Sequence, residues 1–119
     1  MSSHVNGAFK STSSAAAIEL RKDGTFTAYE SHPEALGVAA GSHDAADVAT
    51  TMFTGEYELT ATAANFHVLR RVDGAVRPGG RRSSSSLTDI RRTAALTEAG
   101  AKMAHDPFFE QEMTLHLAP

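Results

Sequence analysis

The sequence predicts an all-β protein, an antiparallel up-and-down (meander) barrel of about eight strands. Two observations carry this prediction. Apolar and polar residues alternate along several stretches, which is the pattern of half-buried strands. Residues that favour turns, above all Gly, Asp and Pro, interrupt these stretches at short intervals, as they do between neighbouring strands of a meander. Closing such a sheet into a barrel also removes its exposed edges.

Eight stretches are predicted as strands, and most are bounded by turn residues. They are 5–12, 15–22, 25–31, 49–61, 65–72, 83–97, 101–105 and 107–117. The whole chain, 1–119, is interpreted as a single domain, because this length suits one hydrophobic core.

The clearest local signal is a hairpin around Asp23-Gly24. A two-residue loop would mix polar and apolar residues on both faces of the hairpin. A three-residue loop, with Gly24 in a left-handed bulge position, pairs Leu20 with Phe26 and builds one apolar face. The sequence therefore predicts the three-residue loop.

Two further stretches alternate cleanly. In the first, Phe53, Tyr57 and Leu59 share one face, while Glu56 and Glu58 share the other, which predicts a half-buried strand. The second is the last predicted strand, which is expected to pair with the N-terminal one, because a well-patterned terminal strand is usually tied into a sheet.

Four segments are less regular. Residues 32–50 are interpreted as a long connection with a helical turn or two, the first opening at Pro33. Asp73-Gly74 is predicted as a turn, and 77–86, with its Pro-Gly pair and serine run, as an exposed loop. Residues 87–99 fit a strand or a helix, and the helix would make the fold α+β. The strand is favoured by the hairpin rhythm around it.

The composition is that of a globular protein without a nucleic-acid function. Apolar residues make up 41%, charged residues 21%, and the formal net charge is −3, whereas a general nucleic-acid binder is basic overall. There is no cysteine, so a disulfide or a thiolate metal site is excluded. No stretch has the length of a membrane span and no signal peptide is recognisable, so we expect no membrane partner and a cytoplasmic location.

The charge is unevenly distributed along the chain. Residues 70–92 contain seven arginines and two acidic residues, a net charge of +5, which leaves −8 on the remainder. The arginines are Arg70, Arg71, Arg77, Arg81, Arg82, Arg91 and Arg92. The basic 77–92 segment is therefore a candidate docking surface for an acidic protein partner, and the alternative is solvated charge on strand edges.

The rhythm of the chain resembles the small calycin and streptavidin-like barrels. The resemblance lies in a Gly-x-aromatic entry at Gly7-Ala8-Phe9, a hairpin from Leu20 to Phe26, and a Gly-x-Tyr strand at Gly55-Glu56-Tyr57. It implies a barrel with an end-opening cavity. The chain has no tryptophan, so neither the Gly-x-Trp entry of many lipocalins nor a tryptophan-lined vitamin pocket is implied.

The alternation turns several polar side chains toward the predicted interior. If the apolar neighbours of Arg70 and Arg92 face inward, these arginines do too, and Gln111 lies in the inner row of the last strand. Two inward arginines would suit a carboxylate or phosphate head group. The predicted ligand-binding residues are Arg70, Arg92 and Gln111 for the polar end and Phe53, Tyr57 and Met113 for the apolar part. The alternatives are that these side chains reach solvent at the rims or that a bulge reverses one strand.

Other motifs carry less chemistry. His32, His43, Asp44 and Asp47 have metal-competent side chains but lack the spacing of a zinc site, so no metal and no cofactor are predicted. His105-Asp106-Pro107 is interpreted as a turn.

One short motif predicts a modification. Arg81-Arg82-Ser83-Ser84 sets hydroxyls beside paired arginines, which suits basophilic kinases and makes Ser84 a candidate phosphorylation site.

The leading functional hypothesis is the binding of a small amphipathic or anionic ligand in a barrel cavity. The second is a protein-interaction module that uses the basic 77–92 segment. The third is a cofactor-free isomerase or cyclase, in which Tyr57 or Glu30 would supply the acid or base. The sequence fixes neither the ligand nor the oligomeric state.

Overall fold

A computed structural model describes the main chain of residues 4–30, 50–77 and 80–118. It contains eight strands, which are β1 (Gly7–Ser11), β2 (Ala17–Leu20), β3 (Thr25–Tyr29), β4 (Thr50–Leu59), β5 (Ala63–Arg77), β6 (Gly80–Thr97), β7 (Lys102–Met103) and β8 (Met113–Leu117). Each strand pairs antiparallel with the next, and β8 pairs with β1, which closes the barrel. The predicted all-β meander barrel is confirmed, including the pairing of the last strand with the first.

The predicted hairpin register between β2 and β3 is also confirmed. Leu20 pairs with Phe26, and both are buried in the core. Gly24 has a φ of 91°, the left-handed conformation that the three-residue loop requires. The loop closes because the Arg21 N–H donates to the Thr25 carbonyl and the Gly24 N–H donates to the Arg21 carbonyl.

The barrel interior is filled by apolar side chains, with aromatic rings at its centre. Phe108, from the segment before β8, stacks on Phe26 and on Phe53 at centroid distances of 5.8 and 5.3 Å. It also meets Phe66 edge-on at 5.4 Å. Around these rings lie the other large, fully buried apolar side chains, Phe9, Ile18, Leu20, Val68, Met103 and Met113. We call the four rings Phe26, Phe53, Phe66 and Phe108 the aromatic cluster. Burial of this cluster and of the apolar side chains around it stabilises the barrel.

A β-bulge at Leu69 divides the long strands β5 and β6 into two parts. On one side, Ala63–Val68 pairs with Ile90–Ala95 and forms part of the barrel, which we call the wall. On the other side, residues 70–77 pair with residues 80–87, a ladder that we call the arm. Leu69 is the extra residue, because Gly55 of β4 pairs with Val68 while Thr54 pairs with Arg70.

The arm corrects two predictions. Asp73-Gly74 is not a turn, since β5 continues to Arg77, and residues 80–86 of the predicted loop are part of β6. The serine run suggested a loop, but main-chain pairing with β5 is independent of side-chain polarity. Asp73 is held within the ladder, where it accepts hydrogen bonds from the Thr51 hydroxyl at 2.9 Å and from the Arg71 guanidinium at 3.1 Å.

Of the two structures that the sequence allowed for residues 87–99, a strand or a helix, the structure shows the strand. Residues 87–97 belong to β6, so the α+β alternative with a helix at 87–99 is wrong. A short 3₁₀ turn at Glu98–Gly100 follows β6.

The predicted strand 107–117 begins later than expected, at Met113. Asp106, only 1% exposed, explains the difference. Its carboxylate accepts hydrogen bonds from the N–H groups of Phe108, Phe109 and Gln111 at 2.9, 2.6 and 2.6 Å. These bonds satisfy the main chain locally and fold it into a turn, which orients Phe108 toward the core.

Some expectations lie outside the described residues, namely the helical turns predicted within 32–50, of which only Thr50 is described, as the start of β4, and the residues His32, His43, Asp44 and Asp47. Within the described part of the chain, no helix has the length and hydropathy of a membrane span.

Candidate functional site

Described residues of the N-terminal segment, the β2–β3 turn and strands β4, β5 and β6 line a groove of about 640 Å³ on the outer face of the barrel. Its floor is formed by the polar faces of β4, β5 and β6. The alternation of these strands explains its composition, because Tyr57, Phe66 and Ala94 point into the core while their neighbours point outward. The volume lies in the range that small-molecule sites occupy.

The strand register orders the groove into two rows across the sheet. In the first row, Glu56 of β4 pairs with His67 of β5, and His67 pairs with Arg91 of β6. The second row runs parallel to it through Glu58, Asn65 and Thr93. Residues paired in this way lie on the same face of the sheet. Each row therefore begins with a carboxylate on β4, that of Glu56 in the first row and that of Glu58 in the second.

One end of the groove is closed by the β2–β3 turn and the N-terminal segment. The His4 ring lies 5.3 Å from the Tyr57 ring, centroid to centroid. It also covers Gly24, where an added Cβ would stand 2.8 Å from its Cε1 atom. Asp23 of the same turn accepts hydrogen bonds from the Thr25 N–H and hydroxyl at 2.9 and 2.6 Å, and these bonds lower the pKa of its carboxyl.

The charged groups of the groove differ in whether they are engaged. His67 is held by Asp89, whose Oδ1 lies 2.6 Å from Nε2 of the imidazole. This hydrogen bond and the charge of His67 lower the pKa of Asp89. Within the described residues, neither Glu56, Glu58 nor the Arg91 side chain makes a hydrogen bond or ion pair. Among the described residues, the groove therefore presents carboxylates without a hydrogen-bonded partner on one side and the Arg91 guanidinium on the other, whose charge also helps to lower the pKa of Asp89.

The predicted inward direction of Arg70 is wrong. The bulge at Leu69 shifts the alternation by one residue, so Arg70 is exposed and donates to the Ser85 hydroxyl at 2.7 Å. The side chain of its neighbour Arg71 lies on the same face of the sheet as Phe53, and its guanidinium carbon is 5.7 Å from the centroid of the Phe53 ring. This is the reversal by a bulge that stood as an alternative.

Arg92 is also exposed, although its partner Phe66 faces the core. Its guanidinium turns back along the strand and donates to the Arg91 carbonyl at 3.0 Å. Gln111 is in the turn formed around Asp106, where its side-chain amide donates to the Phe109 carbonyl at 3.2 Å. The three polar residues proposed for one head group therefore lie in different parts of the molecule.

The apolar members of the predicted site lie in the barrel. Met113 is fully buried, and Phe53 is half-buried against the core. The Tyr57 hydroxyl accepts from the Val5 N–H at 2.8 Å and lies within 2.9 Å of the Val5 and Arg21 carbonyl oxygens. Burial raises the pKa of Tyr57, which keeps this hydroxyl neutral as a link between the N-terminal segment and the β2–β3 turn.

The remaining candidates are placed as follows. Ser84 has an exposed side chain within β6, opposite Asp73. Glu30 is exposed just after β3. Within the described residues, no three His, Asp or Glu side chains are grouped as metal ligands.

The groove itself was not predicted from the sequence. Its parts were visible as the outward face of β4 and as the Asp-Gly hairpin, but nothing in one strand shows which residues of the next two stand beside it. The register supplies that information, and the bulge determines the register.

The fold and site define the class as a closed, eight-stranded antiparallel barrel with a polar groove on its outer wall. Comparison of the chain with protein-family models, with curated proteins and with solved structures found no match.

Proposed function

We propose that the protein binds a small zwitterionic ligand in the outer groove. The observation that carries this proposal is the row Glu56–His67–Arg91, in which a carboxylate and a guanidinium, neither hydrogen-bonded to another described side chain, stand on either side of a fixed imidazole. Charged side chains without partners on a concave surface supply directional binding to groups of opposite charge.

The charge pattern selects the ligand class. Glu56, Glu58 and Asp23 line the β4 side and would repel a simple anion. Arg91 and Arg92 line the β6 side and would repel a simple cation. A ligand with a cationic group at one end and an anionic group at the other satisfies both sides.

The spacing of the strands sets the length of the ligand. Neighbouring strands are about 4.8 Å apart, so β4 and β6 are separated by about 10 Å. An extended peptide covers roughly 3.3–3.6 Å per residue, so a free peptide of two or three residues places its ammonium and carboxylate groups at this separation. Asn65 and Thr93, which are hydrogen-bonded to each other at 2.9 Å, offer polar contacts to the amides between them.

Titration calorimetry with triglycine tests the proposal. Glu56→Gln and Arg91→Gln each remove one charged contact, and we expect each to weaken triglycine binding about tenfold. Glu30→Gln and Lys10→Gln remove the same charges outside the groove and should leave the affinity unchanged.

Blocked peptides test the role of the two ends. N-acetyl-triglycine should lose the contribution of Glu56, and triglycine amide should lose that of Arg91. Equal affinity for free and blocked peptides, or no binding of triglycine to the unmodified protein, would contradict the proposal.

A second candidate function is the binding of an amphipathic anion at the barrel mouth, in keeping with a calycin-like relationship of the barrel. It is favoured by the half-buried Phe53 and Phe109 rings, 5.9 Å apart, with the Arg71 guanidinium beside the first. Decanoate is the probe for this site in the same titrations. Arg71→Gln should weaken decanoate binding, while Arg70→Gln, on the opposite face, should not. We propose the cytosol as the compartment, on the absence of cysteine from the sequence.

A further inference from the structure

We propose that the free edge of β6 binds an extended acidic segment of a partner protein by adding it to the sheet as a further strand. β6 is the longest strand, with 18 residues, and it pairs with β5 from Gly80 to Ala95. On its other side, the described residues pair with it only at Leu96 and Thr97, through β7. Most of this edge therefore has no neighbouring strand within the described part of the chain.

The direction of the main-chain groups identifies the free donors and acceptors. The Leu96 N–H donates to the Thr62 carbonyl, toward β5. Successive residues of a strand direct their N–H and C=O groups to opposite edges, so those of Arg91 and Thr93 point away from β5. The Arg91 carbonyl confirms this direction, because it accepts a hydrogen bond from the Arg92 guanidinium instead of from a strand. An extended peptide would supply the regular partners.

The charge of β6 selects an acidic partner. The strand contains four arginines, Arg81, Arg82, Arg91 and Arg92, and one acidic residue, Asp89, which is already engaged by His67. Two β6 edges from separate copies would bring arginines together, and such like-charge pairing is unfavourable. A strand with alternating acidic side chains would instead find opposite charges.

One apolar contact is available beside these charges. Leu87 is 77% exposed, the highest value among the exposed large hydrophobic residues of the described chain. It is the last arm residue before the bulge in β6. An apolar side chain of the added strand would cover it, so the favoured partner alternates acidic and apolar residues.

Fluorescence polarisation with a labelled, end-blocked Glu-Val-Glu-Val-Glu-Val-Glu peptide tests strand addition. The same peptide with N-methyl groups on alternate residues keeps the charges but loses the N–H groups of one edge. We expect it to bind about tenfold more weakly, because several main-chain hydrogen bonds are lost. The corresponding lysine peptide should not bind, and added salt should weaken binding of the acidic peptide.

Variants of one residue test the location. Thr93→Pro removes an N–H that points off the free edge, a position where proline is tolerated in edge strands. It should weaken binding of the acidic peptide about tenfold, while Thr93→Ala, which loses only the hydroxyl, should not. Circular dichroism of both variants verifies that the barrel is folded.

Three outcomes would overturn the inference. Main-chain pairing is ruled out if the probes that cannot supply it, the N-methylated peptide and a heparin fragment of equal charge, bind or compete as effectively as the parent peptide. Self-association of the protein in sedimentation experiments that is abolished by Thr93→Pro would assign the edge to a second copy. Equal affinity of Thr93→Pro and Thr93→Ala would place binding elsewhere.

Discussion

The wall and the arm are built from the same two strands, yet different interactions hold them. In the wall, Ala64, Phe66, Val68 and Ala94 are buried in the core. In the arm, Leu87 is exposed and the ladder is supported by polar pairs such as Arg70 with Ser85. Main-chain pairing is common to both, whereas no side chain of the arm whose burial the structure describes belongs to the fully buried apolar core. The comparison shows that main-chain pairing is enough to form these strands, whereas the core also requires burial of apolar side chains.

The largest expected effect is on the wall. Phe66→Ala removes a fully buried ring that contacts Phe26 at a centroid distance of 4.9 Å, so it should lower the free energy of unfolding by about 3–5 kcal/mol. Leu87→Ala in the arm removes an exposed side chain and should change it by less than about 0.5 kcal/mol. Urea denaturation of both variants measures the difference. Similar losses would mean that the arm carries a core of its own.

A smaller effect is expected at the junction of wall and arm. A Cβ atom at Gly55 would overlap the His67 carbonyl oxygen, so the bulge requires glycine at this position. Gly55→Ala should lower the free energy of unfolding by about 1–3 kcal/mol, since main chain must move to make room. Ser86→Ala, in the arm, is the matched control and should be close to neutral. An unchanged stability of Gly55→Ala would show that the two strands are not this close.

The smallest effect is that of acid. The pKa values of Asp73 and Asp89 are lowered by their hydrogen bonds to Thr51 and His67, respectively. A carboxyl whose pKa is lower in the folded state stabilises the fold above its unfolded pKa, near 4, and this contribution is lost as the pH falls through the folded value. Asp73 lies in the arm and Asp89 lies at its junction with the wall. Acidification from pH 5 to pH 2.5 should therefore loosen the arm and the junction before it loosens the wall.

Amide hydrogen exchange measures this difference residue by residue. Amides of the arm should lose protection at a higher pH than those beside Phe66, after correction for the intrinsic exchange rate. Asp73→Asn should remove part of the pH dependence in the arm. Uniform loss of protection along β5 would contradict the separation of the two regions.

The same division explains what the sequence could predict. The register of Leu20 with Phe26 follows from a local loop and a local pattern, and it was correct. The direction in which the Arg70 side chain points depends on a bulge. The position of this bulge is determined by the contact of Gly55 with His67, two residues on different strands. A glycine inside an otherwise regular strand is a signal for a bulge, but it does not say which partner residue is displaced.

The groove illustrates the same limit. Glu56 and Glu58 could be assigned to an outward face from alternation alone. Their position beside His67 and Arg91 needs the register of three strands, and one inserted residue changes every neighbour. The sequence predicted a turn at His105-Asp106-Pro107 but not how far this turn extends, because alternation suggested a strand at 107–112 while the buried Asp106 carboxylate holds a turn there.

The pairing of β1 with β8 has a consequence for the order of folding. Phe9 meets Leu115 across nearly the whole described chain, whereas the other strands pair with their immediate successors. Contacts between distant segments form slowly, because the entropy of closing a long loop is lost before they form. We therefore expect the meander to assemble by successive hairpins and this seam to form last. Until it does, the Phe9 side of the core stays open to water, so the rate of the final step determines how long the nascent barrel is exposed to aggregation.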